Sequence, residues 1–132
     1  MASAKAKAPV YERVLVGSDG SERAGRAVER AVGVARALGA RVTILGVGSG
    51  AKLHDALEAQ AAAYGDDGVG VEVRVEPGNP AQVLLDVASE GGYDLLVMGN
   101  KGMAGMERLR LGSVPNKVSH RLPCSLLIVR TG

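Results

Sequence analysis

Aromatic side chains are scarce in this sequence: its 132 residues include three Tyr, with neither Phe nor Trp. Proteins that hold single-stranded nucleic acid stack its bases on aromatic rings, so the composition argues against that class. The formal net charge is only +2, from 16 basic and 14 acidic residues. Because a dedicated polyanion binder carries a much stronger field, we expect no nucleic-acid partner.

Cysteine, histidine and long apolar runs are also few. Cys124 is the single cysteine, and with His54 and His120 it forms no metal-ligand spacing, so we predict neither a disulfide nor a metal site. The longest apolar runs, residues 95–98 and 126–129, are far shorter than the roughly 18 residues of a membrane span. The sequence therefore predicts a cytoplasmic protein that does not enter a membrane, and it offers no clear catalytic residue.

The chain divides into a short arm and one domain. Residues 1–10 are rich in Ala and Lys and lack the apolar segment of a secretory signal, so we predict a disordered arm. Residues 11–132 are predicted to form a single domain. Apolar runs predict strands at residues 13–17, 41–47, 71–75, 94–98 and 125–129, and helical periodicity predicts helices at 22–38, 52–64, 80–90 and 114–121.

This alternation predicts an α/β fold, a three-layer sandwich with a parallel sheet between two layers of helices. The run Leu95–Met98 is apolar at every position, which is typical of a strand buried on both faces. In such sheets ligands bind beyond the carboxyl ends of the strands, where the strand order reverses. The residues that directly follow each strand are therefore the candidate site.

A glycine-rich segment follows the fourth strand, with the pattern G-x2-G-x9-G-S at Gly99, Gly102, Gly112 and Ser113. Gly112 and Ser113 directly precede a predicted helix, whose free N–H groups and dipole favour an anion such as phosphate. Asp19 follows the first strand, and its carboxylate suits a ribose hydroxyl. Other roles stay open: the glycines as turn residues, Asp19 in an Asx turn and Ser113 as a helix cap.

A second glycine pattern offers a different ligand. Residues 46–51, GVGSGA, fit the dinucleotide fingerprint after a strand, and Glu76 ends the next strand, as an NAD-binding domain requires. Against NAD, Glu76 lies about thirty residues from Gly46, whereas the fingerprint expects about twenty.

The glycine motif resembles the nucleotide-binding pattern of ATP-binding universal stress proteins. The segment VLVGSDGSERAGRAVERA at 14–31 resembles that family's first strand and Asp-containing loop, and LPCSLLIV at 122–129 resembles its closing strand. In finer detail, GN-x-G at 99–102 and LGSVPNKVS at 111–119 resemble actinobacterial members that favour cyclic AMP.

The resemblance implies a five-stranded parallel sheet of order 3-2-1-4-5 and a homodimer formed through the last strand. It implies an adenine-nucleotide-binding protein for ATP, AMP or cyclic AMP, with Mg²⁺ accompanying ATP, that acts as a sensor or buffer in stress. The nucleotide-binding residues that it implies are Gly17, Asp19, Val47, Gly99, Gly102, Gly112, Ser113 and Val114.

One departure from the family bears on the base. Residues 48–70 are the whole connection between the second and third strands, shorter than is usual in the family, so the wall over the adenine is expected to be incomplete. Two alternatives to a binding module remain. A slow ATPase would need metal ligands, and we find no acidic residue besides Asp19 placed to hold Mg²⁺. The other is a dimeric interaction protein that binds no nucleotide.

Overall fold

The alternation of strands and helices is confirmed in a computed structural model, which describes residues 10–66, 68–100, 118 and 122–131. The strands are β1 Arg13–Gly17, β2 Arg41–Val47, β3 Val71–Glu76, β4 Leu95–Gly99 and β5 Ser125–Val129, and the helices are α1 Glu22–Leu38, α2 Ala51–Ala62 and α3 Pro80–Glu90. The predicted arm lies outside the described residues except Val10, which is exposed, and the predicted helix 114–121 lies outside them except Val118, which is helical.

The sheet has the predicted order β3-β2-β1-β4-β5, and all its neighbours are parallel. β1 is the central strand: Gly17 at its end pairs with Leu45 of β2, and Val16 pairs with Val97 of β4. The chain winds from β1 outward to β3 and then returns to β4 on the other side of β1. The strand order therefore reverses between β1 and β4, where parallel sheets bind ligands.

Two aliphatic layers cover the sheet, as the continuous apolar run of β4 predicts. Leu95 and Val97 pack beneath α1, in the layer that also includes Leu57 of α2, while Leu96 and Met98 pack on the opposite face with α3. Buried side chains of the first layer are Val14, Val16, Ala27, Val28, Ala31, Val32, Ala35, Ala40, Val42, Ile44, Leu57, Leu95, Val97 and Val129. Burial on both faces explains why β4 has no polar alternation.

Side-chain caps mark the starts of α1 and α3. Ser21 accepts a hydrogen bond from the Ala24 N–H at the start of α1, and Gly39 ends that helix at φ 73°. Asn79 accepts from the Gln82 N–H before Pro80, the first residue of α3. The Ser21 cap starts α1 at the end of the loop that follows β1. Within the part of the chain that the structure describes, no helix is long and apolar enough to cross a membrane.

Candidate functional site

Two loops flank the point where the strand order reverses. One comprises residues 18–21 and joins β1 to α1; the other begins at Gly99 and Asn100, at the end of β4. Because β1 and β4 are parallel neighbours, both loops lie at the same edge of the sheet. A crevice between them is the place where a doubly wound fold holds a ligand.

The loop after β1, residues 18–21, is tightly hydrogen-bonded. Ser18 is buried; its N–H donates to the Leu45 carbonyl at 2.9 Å, and its Oγ accepts from the Gly20 N–H at 3.0 Å. Asp19 Oδ1 accepts from the Ser21 N–H at 3.0 Å, so the Asx turn considered for Asp19 is present. That turn uses one carboxylate oxygen. Oδ2 of Asp19 has no hydrogen-bond donor among the described residues.

Val47 ends β2 beside this loop. The Gly48 N–H donates to the Glu76 carbonyl at 2.9 Å, so Gly48 faces β3, and the preceding peptide groups of Val47 face the side of β1. The hydrogen-bond ladder between β1 and β2 ends with the bond from the Ser18 N–H to the Leu45 carbonyl. Beyond it, no backbone hydrogen bond in the described ranges joins β2 to the loop. Val47 thus presents a peptide donor and acceptor just beyond Gly17, the buried last residue of β1.

The start of the loop after β4 is held by the end of the chain. The Asn100 N–H donates to the Val129 carbonyl at 2.8 Å, and Asn100 Oδ1 accepts from the Thr131 N–H at 2.9 Å. Arg26 of α1 donates through Nη1 to the Thr131 carbonyl at 2.6 Å. A Cβ on Gly99 would lie 3.2 Å from both Cγ2 and Oγ1 of Thr131. Close approach of Thr131 therefore accounts for glycine at position 99.

The structure brings together half of the predicted nucleotide site. Gly17, Asp19, Val47 and Gly99 lie at the carboxyl ends of β1, β2 and β4 or directly after them. The remaining predicted residues, Gly102, Gly112, Ser113 and Val114, lie outside the described residues. The structure therefore gives the positions of four of the eight residues, and nucleotide binding by all eight stays a prediction from the sequence.

Gln60 lies in this region, and we predicted no functional role for it from the sequence. Its Oε1 accepts from Ser18 Oγ at 2.7 Å, and its Nε2 donates to the Ser21 carbonyl at 3.1 Å. The signal available in the sequence was an amide side chain at helical spacing with the apolar Leu53 and Leu57. A polar group on an apolar face needs a partner, and here the partner is the loop after β1.

The second glycine pattern, at residues 46–51, is explained by packing. A Cβ on Gly46 would lie 2.6 Å from Leu57 Cδ1, and one on Gly48 would lie 3.0 Å from Leu53 Cδ2, so these glycines let α2 lie close to β2. Glu76 accepts from Arg74 Nε at 2.8 Å, and this bond raises the pKa of Arg74. The pattern also follows β2, whereas the strand order reverses at β1 and β4. The geometry gives NAD binding no support.

The remaining candidates for chemistry lie apart from the crevice. His54 is exposed on α2 and has its Nε2 3.3 Å from Glu58 Oε2, as a surface histidine would. Cys124 is half-buried just before β5. Burial is the main reason that the pKa of its thiol is raised, and the negative charge of Asp94 adds to the effect. Over the described ranges, no three His, Cys, Asp or Glu side chains gather where they could hold a metal ion.

A protein-family model matches nearly all of this chain. The model of the universal stress protein family matches residues 10–53 and 48–130. The chain belongs to the universal stress protein family. The two matched pieces of this universal stress protein overlap at residues 48–53, where β2 passes into α2. That junction lies within the connection that the sequence predicts to be shortened.

Relatives resemble this universal stress protein over nearly its whole length. Universal stress protein YxiE of Bacillus subtilis is 30% identical, with 92% of this chain and 100% of YxiE aligned. Protein Rv1636 of Mycobacterium tuberculosis is 38% identical, with a TM-score of 0.66 over 96% of this chain and 100% of that chain. A universal stress protein solved in complex with cAMP is 35% identical, with a TM-score of 0.81 over 93% of this chain and 99% of that chain.

Proposed function

We propose that this universal stress protein binds an adenine nucleotide in the crevice between β1 and β4 and acts as a cytoplasmic sensor or buffer of it. The observation that carries the proposal is that two groups at one edge of the sheet have no partner among the described residues. Val47 offers peptide groups beyond the end of the β1–β2 ladder, and Asp19 offers Oδ2. Similarity to a protein solved with cAMP supports a nucleotide as the ligand of those groups.

Each half of the nucleotide has a proposed partner. An adenine edge carries a donor beside an acceptor, which matches the peptide N–H and C=O of Val47, with Gly17 beneath. The free oxygen of Asp19 accepts from a ribose hydroxyl. Following the family resemblance, Gly99 and Gly102 line the ribose-phosphate loop, and Gly112, Ser113 and Val114 bind phosphate.

Among the candidate nucleotides, cyclic AMP is the first to test. Its single negative charge needs fewer donors than a triphosphate, which would need Lys101, Arg108 or Arg110 and an accompanying Mg²⁺ as well. The 35% identity to the protein solved with cAMP favours the same choice. ATP and AMP remain the alternative ligands of the same crevice.

The deciding experiment is a thermal-shift panel on the purified chain with cyclic AMP, AMP, ATP with Mg²⁺, and NAD. A ligand at a hundred times its dissociation constant adds about 2.7 kcal/mol of stability, which is a readily measured shift. We expect a shift with cyclic AMP or ATP and none with NAD. Phosphate release in the ATP sample tests the slow ATPase alternative. Absence of a shift with every nucleotide would reject nucleotide binding.

We also propose a homodimer formed through β5. In the described part of the chain β5 pairs with β4 alone, so its outer edge is open, and its central residues Leu126, Leu127 and Ile128 are only half-buried. An open apolar edge is a template for pairing with a second strand. Native mass spectrometry of the purified protein tests this: a dimer without retained nucleotide would favour the interaction-protein alternative, and a monomer would reject the dimer.

A further inference from the structure

Gln60 of α2 joins both ends of the loop after β1, residues 18–21. Its amide oxygen accepts from Ser18 Oγ at 2.7 Å, and its amide nitrogen donates to the Ser21 carbonyl at 3.1 Å. The same Ser18 hydroxyl accepts from the Gly20 N–H, so one side chain anchors a chain of hydrogen bonds that runs through the loop. Asp19 lies between the two anchor points.

The short connection between β2 and α2 brings Gln60 to this place. Residues 48–50 alone separate the two elements, and α2 lies so close to the loop that a Cβ on Gly20 would stand 2.7 Å from Ala56 Cβ. Gly20 has φ 83°, a conformation that glycine adopts without cost. The position of the loop is therefore set from outside, by a helix, as well as by its own turn.

We propose that Gln60 is a positioning residue for the nucleotide: it holds Asp19 in the orientation that binds ribose and does not itself touch the ligand. The proposal rests on the proposed function. A binding group that occupies its competent orientation only part of the time lowers the apparent affinity by that fraction. With both ends of the loop fixed by Gln60, Asp19 is held ready before the nucleotide arrives.

The geometry distinguishes this role from simple packing. Gln60 is half-buried, and both of its hydrogen bonds go to the loop, at residues on either side of Asp19. A methionine has a similar length and a good helix propensity, so Gln60→Met keeps the packing and removes both bonds. Gln82, an exposed glutamine on α3 at the other face of the sheet, supplies the matched control Gln82→Met.

The experiment measures two quantities in the wild type, Gln60→Met and Gln82→Met. The first is amide hydrogen exchange at Gly20 and Ser21 without nucleotide; the second is the dissociation constant for cyclic AMP and for AMP. We expect Gln60→Met to speed exchange at both amides and to weaken nucleotide binding about tenfold, as a competent population of one tenth requires. Gln82→Met should change neither quantity.

Asp19→Asn makes the test specific for positioning. Because Gln60 acts through Asp19, adding Gln60→Met to Asp19→Asn should weaken binding by much less than it does alone. Unchanged affinity in Gln60→Met, in a wild type that binds nucleotide, would overturn this proposal alone. Fully additive losses would also overturn it, by showing that Gln60 acts elsewhere. A wild type that binds none of the nucleotides would overturn the proposed function and the positioning role together.

Discussion

The two loops at the carboxyl edge of the sheet are held in different ways. The loop after β1 is held by Gln60 of α2 and by its own Asx turn, so the anchors that the structure describes for it lie in the first half of the chain. The start of the loop after β4 depends on Thr131, nearly the last residue, and on Arg26 of α1.

The two loops also differ in what their anchors leave free. In the loop after β1, the turn takes one oxygen of Asp19, and no group in the described part of the chain donates to the other oxygen. In the loop after β4, Asn100 Oδ1 accepts from both the N–H and the hydroxyl of Thr131, at 2.9 and 3.3 Å, so this oxygen is fully engaged in the fold. Under the proposed function, the loop after β1 would therefore contribute a side chain to the ligand, whereas the described start of the loop after β4 uses its Asn100 side chain to hold the fold.

The largest effect is expected from Gly20→Ala, which attacks the loop after β1. The change puts a Cβ on a residue with φ 83°, which strains the backbone, and places that Cβ 2.7 Å from Ala56 Cβ. We expect it to lower the free energy of unfolding by about 2–4 kcal/mol. Gly39→Ala is the matched control, with φ 73° and nothing within 4 Å, and should cost only about 1 kcal/mol. Urea unfolding compares them; equal costs would mean that α2 does not press on the loop.

Asp19→Asn separates the two roles of Asp19. The amide oxygen still accepts from the Ser21 N–H, so the turn and the stability should stay within about 0.5 kcal/mol of the wild type. The proposed charged bond to ribose is lost, which should cost about 1.5–3 kcal/mol, or roughly 10- to 150-fold in cyclic AMP affinity. The control is Asp66→Asn, an exposed position outside the crevice. Titration calorimetry that finds equal affinity in both variants would remove Asp19 from the site.

Asn100→Ala tests the anchor of the loop after β4. It leaves the N–H of the buried Thr131 without its acceptor, which should cost about 1–2 kcal/mol. Asn100→Asp keeps an acceptor oxygen at the same place and should lie closer to the wild type. Thermal unfolding of the two variants decides the point. If alanine and aspartate were equally destabilising, the bond to Thr131 would not be what holds this loop.

Most of the fold was predictable from sequence because its determinants are local. The helical periodicity of residues 22–38 and 80–90 and the apolar run of β4 each predict one element, and those elements are confirmed. The strand order came from the family resemblance, and the structure confirms it.

The site was less predictable, because its anchors join residues that are distant in sequence. Gln60 and Ser18 are 42 positions apart, and Arg26 and Thr131 are 105 apart. Periodicity places a side chain on a face of a helix, but it does not say which loop that face meets. Gly46 is a second case in which the sequence did not reveal the distant contact. The dinucleotide fingerprint suggested a ligand, whereas the structure shows Leu57 of α2 packed against this glycine.

Arg26→Met should have the smallest effect on stability, and it tests most directly whether the two loops are anchored in different ways. Arg26 is exposed over most of its length, but its Nη1 donates to the Thr131 carbonyl at 2.6 Å, so losing this bond should cost about 0.5–1 kcal/mol. Arg30→Met, one turn further along the same helix, controls for the lost charge and should change stability less. Hydrogen exchange at the Asn100 and Thr131 amides should quicken in Arg26→Met alone. Identical exchange in both variants would show that Asn100 and Thr131 hold the β4 loop without α1, and that only the β1 loop is anchored by a helix side chain.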